Sequence, residues 1–357
     1  MPGEARVLLC TSNGVGLGHV TRMMAIARSL QPGVDPIIFT LSAAVAVPVA
    51  AGFHVEHMAS HGQLGMSTRH WHELLDDRID HLVRFYRPRV VLFDGVHPYA
   101  GLVAGLTRHR RRVVRVWQRR AMWRTGVGVE ALTAEHRFDH VVEPGEYAAE
   151  YDRGATVSRR AQAHVVNPIV YDDGHLERAT ACAQLGLDPT GTNVLVQLGA
   201  GAINDVSSLT GAVVSALRVH DGLRVVVARS ELSADGGEHH EGVTVVRRFP
   251  ISRWFAAFDA AVLAAGYNSF HEALARRVPT LFVPNLATRT DDQDARTRFA
   301  ADRGLGLRWD GTDPAGLAAG VEQLADASAR AAIHARLQAL APADGAEQVA
   351  ALVRGWL

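Results

Sequence analysis

The chain has 357 residues, a length that suggests two domains and allows two hydrophobic cores without disulfides or a structural metal. Apolar residues make up 48% and charged residues 21% of the sequence, which is typical of a globular protein and excludes a disordered one. Basic and acidic residues number 37 each, so the formal net charge is zero. Overall charge therefore gives no support for nucleic acid or an anionic membrane as a partner.

Cysteine usage and hydropathy bear on the cellular compartment. Cys10 and Cys182 lie far apart, which fits a reducing compartment better than a disulfide framework or a zinc site. The N-terminal residues include Glu4 and only four consecutive apolar residues, unlike a secretory signal peptide. The apolar stretch that starts at Leu41 is rich in alanine and is interrupted by Pro48, unlike a membrane span. We expect a soluble, cytoplasmic protein.

The first half of the chain alternates short apolar runs with helical periodicity. Residues 6–11 form an apolar run, a glycine-rich loop follows, and residues 20–30 have the spacing of an amphipathic helix. Continuous apolar strands separated by helices are typical of a parallel sheet covered on both faces. The same pattern predicts further strands at 36–40, 90–93, 113–117 and 140–142.

The second half repeats this design, with an apolar run at 193–198, a glycine-rich loop and a helical stretch from 206 to 217. Further strands are predicted at 224–228, 244–246, 260–263 and 280–283.

An apolar strand ending at Pro168, followed by an acidic, glycine-containing turn, marks the join between the halves. We therefore predict an α/β protein with an N-terminal domain at 1–168 and a C-terminal domain at 169–357, whose last helix is able to pack back on the first domain. Both domains are expected to be Rossmann-like, doubly wound and to face each other across a cleft. Ligands of such sheets bind beyond the carboxyl ends of the strands, so residues that follow strands are the functional candidates.

The first glycine-rich loop differs from a dinucleotide-binding fingerprint. After Gly14 and Gly16, the third glycine of that motif would stand at position 19, which is His19, and the next strand ends at Thr40 rather than at an acidic residue. Both differences argue against a nicotinamide cofactor. His19 follows a strand and a glycine loop at the start of a helix, which favours a ligand-facing histidine over one that merely contacts solvent.

Asp94 ends a buried strand of the same predicted sheet. Its carboxylate could accept a hydrogen bond from one imidazole nitrogen of His19, which would fix the tautomer and leave the other nitrogen as a base. It could equally cap the helix that follows Val96. The sequence leaves both roles open.

The strand at 260–263 leads to Gly266 and to a helix predicted to begin near Asn268 or Ser269. The N–H groups at such a helix start, with the helix dipole behind them, suit a diphosphate. Glu272 lies one turn further on, where its carboxylate could bind a ribose diol or form a capping box with Ser269.

The strand at 280–283 is followed by a polar loop that carries Asp292 and Gln293 into another helix. A carboxylate and an amide together can bind neighbouring sugar hydroxyls, although both residue types also occur at helix N-termini for their favourable charge or dipole. Asp292 and Asp294 form a D-x-D string, which is a weak metal signal by itself. We predict no metal, because the helix start near Ser269 already supplies positive potential.

Taken together, these segments resemble the glycosyltransferases of GT-B fold that use nucleotide sugars. They are most similar to the families of the lipid II-forming N-acetylglucosaminyltransferase and of the UDP-glycosyltransferases. The loop and helix at 14–27 resemble the first-strand loop of those families, 264–285 resembles their donor-binding segment, and 291–296 resembles the acid–glutamine pair at the donor sugar. The resemblance spans nearly the whole chain.

This resemblance implies an inverting, metal-independent transferase that moves a sugar from a UDP-sugar to a hydroxyl of a small-molecule or lipid-linked acceptor, without a cofactor, in natural product or cell-envelope glycosylation. It makes His19 the general base and Asp94 its orienting partner. The donor-binding residues that it implies are Gly18, Gly199, Ala200, Phe249, Ile251, Gly266, Tyr267, Asn268, Ser269, Glu272, Asp292 and Gln293.

The chain also departs from these families. Thr21 and Arg22 stand where a proline is usual, and the G-H-x-x-R spelling also resembles nucleotide-sugar hydrolases. Arg22 could contact a phosphate or cover the helix surface. The alternative functions are such a hydrolase with the same donor site, or a non-catalytic partner protein of GT-B fold.

Arginine-rich segments at 108–112 and 119–124 flank a predicted strand. They are either solvated ends of elements or a local patch for an anionic lipid or a phosphate-bearing acceptor. A peripheral membrane contact is therefore left open.

Overall fold

The structure, a computed structural model, describes residues 5–12, 17–199, 206–229 and 242–357. It divides into two compact units, one formed by residues up to Tyr171 together with Ala343–Leu357, the other by Asp172–Pro342. The observed division lies within three residues of the one predicted after Pro168. The C-terminal segment belongs to the first unit rather than to the second, as the sequence had allowed for the last helix.

The first unit is built on a parallel sheet, which has seven strands within the described ranges: β1 (Ala5–Thr11), β2 (Val34–Thr40), β3 (His54–His57), β4 (Val90–Asp94), β5 (Val114–Gln118), β6 (His140–Pro144) and β7 (His164–Val166). Their order in the sheet is β3-β2-β1-β4-β5-β6-β7. The five strands predicted at the centre are confirmed within two residues at each end. The strand β3 was not predicted, because its residues are half-buried or exposed at the sheet edge and lack an apolar run.

Helices cover this sheet: α1 (Gly18–Leu30), α2 (Ala46–Ala50), α3 (Thr68–Tyr86), α4 (Ala100–Arg108) and α11 (Gly345–Gly355), with 3-10 segments at Val129–Arg137, Ala149–Tyr151 and Ala155–Gln162. One face of α3 is apolar at helical spacing and is fully buried, through Trp71, Leu75, Ile79 and Leu82. The C-terminal helix α11 packs against α1. Arg354 donates from Nη2 to the Ser29 carbonyl oxygen at 2.7 Å, and Val353 is fully buried.

The second unit is built on a parallel sheet with the described strands β8 (Thr192–Gln197), β9 (Leu223–Ala228), β10 (Thr244–Val246), β11 (Ala260–Ala264), β12 (Thr280–Val283) and β13 (Leu307–Arg308), in the order β10-β9-β8-β11-β12-β13. The five predicted strands are confirmed, and β13 was too short to predict. The helices of the unit are α5 (Arg178–Leu185), α6 (Ser207–Leu217), α7 (Tyr267–Ala275), α8 (Gln293–Asp302), α9 (Pro314–Ala325) and α10 (Ala327–Leu337), with a 3-10 segment at Ile251–Ala257.

Both sheets have the doubly wound order in which the direction of chain progression reverses beside the first strand. The reversal lies between β1 and β4 in the first unit and between β8 and β11 in the second. Thr11 is in register with Asp94, and Gln197 is in register with Leu263. Ligands of such sheets bind at the carboxyl ends of the strands where the order reverses, so topology singles out the loops after these four strands.

None of the helices in the described part of the chain has both the length and the hydropathy needed to cross a bilayer.

Candidate active site

The first candidate cluster lies where the sheet order of the first unit reverses, and it joins α1 to the end of β4. His19 and Arg22 are three residues apart on α1, a spacing that places side chains on one face of a helix. Asp94 is the last residue of β4. The side chain of His19 is 15% exposed, whereas Arg22 is 2% and Asp94 1% exposed.

Asp94 is held mainly by Arg22. Arg22 Nε donates to Asp94 Oδ2 at 2.8 Å, and Arg22 Nη2 donates to Oδ1 at 3.1 Å. His19 Nδ1 lies 3.3 Å from the same Oδ1 and 3.0 Å from Arg22 Nη2. Within the described residues, His19 Nε2 makes no hydrogen bond. The sequence prediction that His19 and Asp94 come together agrees with this geometry.

The electrostatics of this cluster favour a neutral imidazole beside an ionised carboxylate. Burial lowers the pKa of His19, the charges of Arg22 and Arg120 lower it further, and Asp94 acts in the opposite direction. For Asp94, burial alone would raise the pKa, yet the nearby charges of Arg22 and His19 outweigh it and the pKa is lowered. A neutral imidazole next to a carboxylate is the state required of a general base.

Two of the alternatives left open by the sequence are wrong at these positions. Asp94 does not cap the following helix, because α4 begins only at Ala100 and has Tyr99 as its N-cap without a side-chain hydrogen bond. Arg22 does not cover the helix surface, because its guanidinium is buried against Asp94. Its alternative role as a phosphate contact stays a prediction.

The second candidate cluster surrounds the start of α7, where the sheet order of the second unit reverses. The helix begins at Tyr267 with Gly266 as the N-cap, one or two residues earlier than predicted, and no side chain caps it. The helical hydrogen bonds start with Phe270 N–H donating to the Gly266 carbonyl oxygen at 2.9 Å. The capping box between Ser269 and Glu272 is therefore wrong, because both residues lie inside the helix.

Glu272 is buried on α7 and receives a hydrogen bond from Ser252, which lies on the 3-10 segment. Burial raises the pKa of Glu272 to about 7, although Ser252 and the charge of Arg276 act in the opposite direction. Ser252 directly follows Ile251, so the segment from Phe249 to Ile251 lies next to a residue that contacts Glu272. The donor-binding role of Phe249 and Ile251 stays a prediction. Ser252 itself was not predicted, because a single serine two residues after a proline carries no recognisable pattern.

Asp292 and Gln293 stand at the start of α8, and both side chains make local hydrogen bonds. Asp292 is the N-cap, and its Oδ1 accepts from Ala295 N–H at 3.0 Å. Gln293 Oε1 accepts from Asn285 N–H at 2.9 Å, which ties the loop after β12 to α8. A Cβ added to Gly266 would lie 3.8 Å from Gln293 Nε2, so Gln293 is close to the start of α7. Asp292 therefore has the helix N-terminal role that the sequence left open. Binding of the donor sugar by Asp292 and Gln293 stays a prediction.

A buried arginine that the sequence analysis missed supports this cluster from within. Arg296 is fully buried on α8, pairs with Asp291 at 2.9 Å and donates to the Ala265 carbonyl oxygen at 3.3 Å. Its guanidinium carbon lies 5.9 Å from the ring centroid of Tyr267. Arg296 thereby connects α8 to the residues that precede and begin α7. The only available signal was an arginine four residues after Asp292, which is also common on a helix surface.

The remaining predicted donor residues lie beside glycine loops. Gly199, two residues after β8, has φ of +112°, a conformation that L side chains rarely adopt. Gly18 is the first residue of α1, and a Cβ there would lie 3.7 Å from Arg22 Nη1. Ala200, Gly14 and Gly16 lie outside the described residues.

The D-x-D string does not gather its carboxylates at one point. Asp292 caps α8, whereas Asp294 pairs with Arg298 at 3.1 Å and with Arg308 at 2.9 Å.

The arginine-rich segments have different surroundings. Arg119 is fully buried and ion-paired with Glu135 and with Glu143, so it belongs neither to a solvated end nor to an anion-binding surface, and that prediction is wrong for Arg119. Arg111 and Arg112 are exposed and line a cavity of about 700 Å³ together with Arg84, Arg87 and Arg89.

Sequence comparison relates the chain to N-acetylglucosamine transferases, although no family model matches it. The UDP-N-acetylglucosamine--N-acetylmuramyl-(pentapeptide) pyrophosphoryl-undecaprenol N-acetylglucosamine transferase of Symbiobacterium thermophilum is 27% identical over 370 residues, which cover 97% of this chain and 95% of that protein. A protein of the same name from Nocardioides sp. is 32% identical over 190 residues, 51% of this chain and 52% of that protein.

Solved structures with the same fold cover nearly all of the chain. The spinosyn rhamnosyltransferase SpnG complexed with thymidine diphosphate has a TM-score of 0.65 and 17% identity, and covers 98% of this chain and 99% of its own. The calicheamicin glycosyltransferase CalG4 has a TM-score of 0.63 and 18% identity, and covers 100% and 99%. SnogD from Streptomyces nogalater has a TM-score of 0.64 and 18% identity, and covers 99% and 100%. The comparisons confirm the predicted resemblance: the chain has the GT-B fold and is a homologue of glycosyltransferases along nearly its whole length.

Proposed function

We propose that the protein is an inverting, metal-independent glycosyltransferase that uses a UDP-sugar and a hydroxyl of a small-molecule or lipid-linked acceptor. The observation that carries the proposal is the mostly buried His19 beside Asp94, where the sheet order reverses in a protein of GT-B fold. Burial lowers the pKa of His19, which favours the neutral form that a base requires. The UDP donor is supported by the name of the two sequence relatives, which use UDP-N-acetylglucosamine.

In the proposed reaction, His19 Nε2 takes the proton of the acceptor hydroxyl as its oxygen attacks the anomeric carbon. The new carbon–oxygen bond forms while the bond from that carbon to the diphosphate oxygen breaks, so the sugar configuration inverts. The departing diphosphate keeps the electron pair of the broken bond. One displacement needs one base and a stabilised leaving group, and no covalent intermediate on the protein.

The second unit is proposed to bind the donor. The start of α7 directs the positive end of its helix dipole toward the site that follows β11, which suits the charge of a departing diphosphate. Glu272, once ionised, would accept hydrogen bonds from the ribose hydroxyls. Asp292 and Gln293 would contact the donor sugar, and the backbone of 249–251 would border the base.

The first experiment is calorimetric titration with UDP, dTDP, GDP and NAD⁺, followed by transfer assays with UDP-sugars in EDTA and in Mg²⁺. We expect binding of UDP, no binding of NAD⁺, and equal transfer rates in both media with an inverted anomer by NMR. Loss of transfer in EDTA would contradict metal independence, and preferential binding of dTDP or GDP would contradict the UDP donor.

His19→Ala tests the base. We expect turnover to fall about 10²- to 10⁴-fold, the usual contribution of a positioned base, while the UDP dissociation constant stays within twofold. His70→Ala is the matched control, because His70 is an exposed histidine on α3. An unchanged rate in His19→Ala would exclude His19 as the base. Release of free sugar at the same rate with and without acceptors would favour the hydrolase.

A further inference from the structure

The carboxylate of Asp94 is shared unequally between an arginine and a histidine. Arg22 binds both oxygens in the bidentate manner that gives strong, directional pairing, at 2.8 and 3.1 Å. His19 Nδ1 reaches only Oδ1, at 3.3 Å, and that oxygen already accepts from Arg22. Arg22, rather than His19, therefore determines where the Asp94 carboxylate lies.

Arg22 also contacts the imidazole directly, because its Nη2 lies 3.0 Å from His19 Nδ1. Two proton arrangements are compatible with this geometry. With a proton on Nδ1, the imidazole donates to Asp94 Oδ1 and Nε2 is free of a proton. With Nδ1 bare, Arg22 donates to it, and the proton sits on Nε2, which then cannot accept another.

We propose that Arg22 is a positioning residue, which fixes the Asp94 carboxylate so that Nδ1 of His19 carries the proton and Nε2 acts as the base. The inference rests on the proposed role of His19. In this proposal, the buried Arg22 orients the Asp94 carboxylate and does not contact a phosphate of the donor.

The charges that face His19 favour a neutral imidazole, as the proposed base requires. Asp94 faces it from β4, Arg22 from the same helix, and Arg120 from the segment after β5. One carboxylate between two guanidinium groups leaves a net positive environment, in which a further positive charge on the imidazole is disfavoured. Replacing Arg22 by a neutral residue removes one of the two cations, while the negative charge of Asp94 stays beside His19. The pKa of His19 is therefore expected to rise.

The test compares Arg22→Met, which removes the charge, with Arg22→Lys, which keeps it without the bidentate geometry. For Arg22→Met we expect kcat to fall about 10- to 100-fold, because a small misplacement of a catalytic group has effects of this size. We also expect the acidic limb of kcat/KM against pH to move to higher pH. Arg22→Lys should leave that limb in place and recover part of kcat. Arg69→Met, at an arginine side chain that is 86% exposed on α3, is the matched control.

A second measurement does not depend on transfer activity. Histidine side chains are labelled with ¹⁵N, the His19 signal is assigned by its loss in His19→Asn, and its titration is followed by NMR. We expect the His19 titration in Arg22→Met to move to higher pH than in the unchanged protein, and the ¹⁵N shifts of the neutral form to place the proton on Nδ1 in the unchanged protein. If Arg22→Met does not fold, Arg22→Lys replaces it: we expect less of its neutral His19 to carry the proton on Nδ1, because lysine cannot hold both oxygens of Asp94.

Three results would overturn the inference: an unchanged His19 titration in Arg22→Met, a kcat within twofold of the unchanged protein, or weaker UDP binding with an unmoved pH limb. The last result would make Arg22 a phosphate contact. If the titration moves but no UDP-sugar supports transfer, the coupling of Arg22 to His19 holds and the proposed function is what fails.

Discussion

Glu272 is a buried carboxyl whose ionisation is expected to lower folding stability. Its carboxyl is buried, with Ser252 as hydrogen-bond donor, and burial raises its pKa from 4.5 to about 7. A shift of this size corresponds to about 3 kcal/mol between the two protonation states. Because the pKa of Glu272 is higher in the folded than in the unfolded protein, its protonated form favours folding. That contribution to the free energy of unfolding is complete below pH 4.5 and is lost as pH rises through 7.

We expect Glu272→Gln to be more stable than the unchanged protein at pH 8, and close to it at pH 5, because glutamine resembles the protonated side chain. Urea unfolding at both pH values measures the difference. Glu322→Gln, whose side chain on α9 is 77% exposed, controls for the loss of one negative charge. Equal stability of Glu272→Gln and the unchanged protein at pH 8 would show that the ionised carboxylate is not penalised by burial.

The same substitution separates stability from binding. Hydrogen bonds from ribose hydroxyls to an ionised carboxylate contribute about 1.5–3 kcal/mol, so we expect Glu272→Gln to bind UDP about tenfold more weakly at pH 8. The unchanged protein should also release a proton on binding near pH 7, which calorimetry in two buffers of different ionisation enthalpy detects. Proton release of the same size in Glu272→Gln would assign it to the diphosphate instead.

At the residue scale, local sequence patterns identified side chains that follow strands but not the partners that come from elsewhere in the chain. His19, Asp94 and Glu272 were found because each lies next to a predicted strand or glycine loop. The pairing of Arg22 with Asp94 depends on β1 and β4 being neighbours, although 72 positions separate the two residues. Arg296 and Ser252 were missed for the same reason, since nothing local to either residue indicates what it contacts.

At the scale of elements, two aspartates stand at the N-terminal ends of helices in the second unit. Asp292 is the N-cap of α8, and Asp326 caps α10 in the same way, with its carboxylate accepting from Ala329 N–H at 2.9 Å. The two aspartates differ in location, because Asp292 follows the strand end near α7, whereas Asp326 is exposed between two helices. They therefore form a matched pair for separating capping from ligand binding.

We expect Asp292→Ala and Asp326→Ala each to lower the free energy of unfolding by about 1 kcal/mol, the usual contribution of an N-cap. Only Asp292→Ala should weaken binding of a UDP-sugar relative to UDP, because the proposed contact is with the sugar. Asp292→Asn preserves the cap and tests the charge alone. The sugar contact would be refuted if both alanine variants bound UDP-sugar and UDP as the unchanged protein does.

At the scale of the whole molecule, the C-terminal segment Ala343–Leu357 belongs to the first unit, where α11 packs against α1. Val349 and Val353 are fully buried there, and Arg354 donates to the carbonyl oxygens of Ser29 and Leu30 at the end of α1. Those carbonyl groups end a helix and have no helical partner, so the guanidinium satisfies them. The last helix is thus part of the support for the helix that carries His19.

We expect Val353→Ala to destabilise the first unit by about 2 kcal/mol, from lost burial and the cavity that remains. Hydrogen exchange should increase in α1 and β7, while UDP binding should be unaffected, because the proposed donor residues other than Gly18 lie in 172–342. Val219→Ala, at a valine that is 79% exposed, should change stability by less than 0.5 kcal/mol. Faster exchange confined to the second unit would contradict this division of roles.

Much of this protein follows from its sequence alone. Apolar runs and helical periodicity predicted eleven of the thirteen described strands, all except β3 and β13, and the two-domain α/β class. Buried parallel strands appear in a sequence as continuous apolar runs, and amphipathic helices as apolar residues three or four positions apart. The glycine loops and strand ends also made His19, Asp94, Gly266 and Glu272 candidate site residues, since parallel strands present their carboxyl ends at a common edge.

Tertiary structure decided the pairings. It packed α11 against α1, paired Asp94 with Arg22 as well as with His19, and brought Ser252 within hydrogen-bond distance of Glu272. It also buried Arg119 beside the carboxylate of Glu143, where a surface role had been expected. These contacts join residues far apart in the chain, and a charged residue of the same type is stable either in water or in a buried ion pair. Only the partner that packing brings within reach determines which of the two applies.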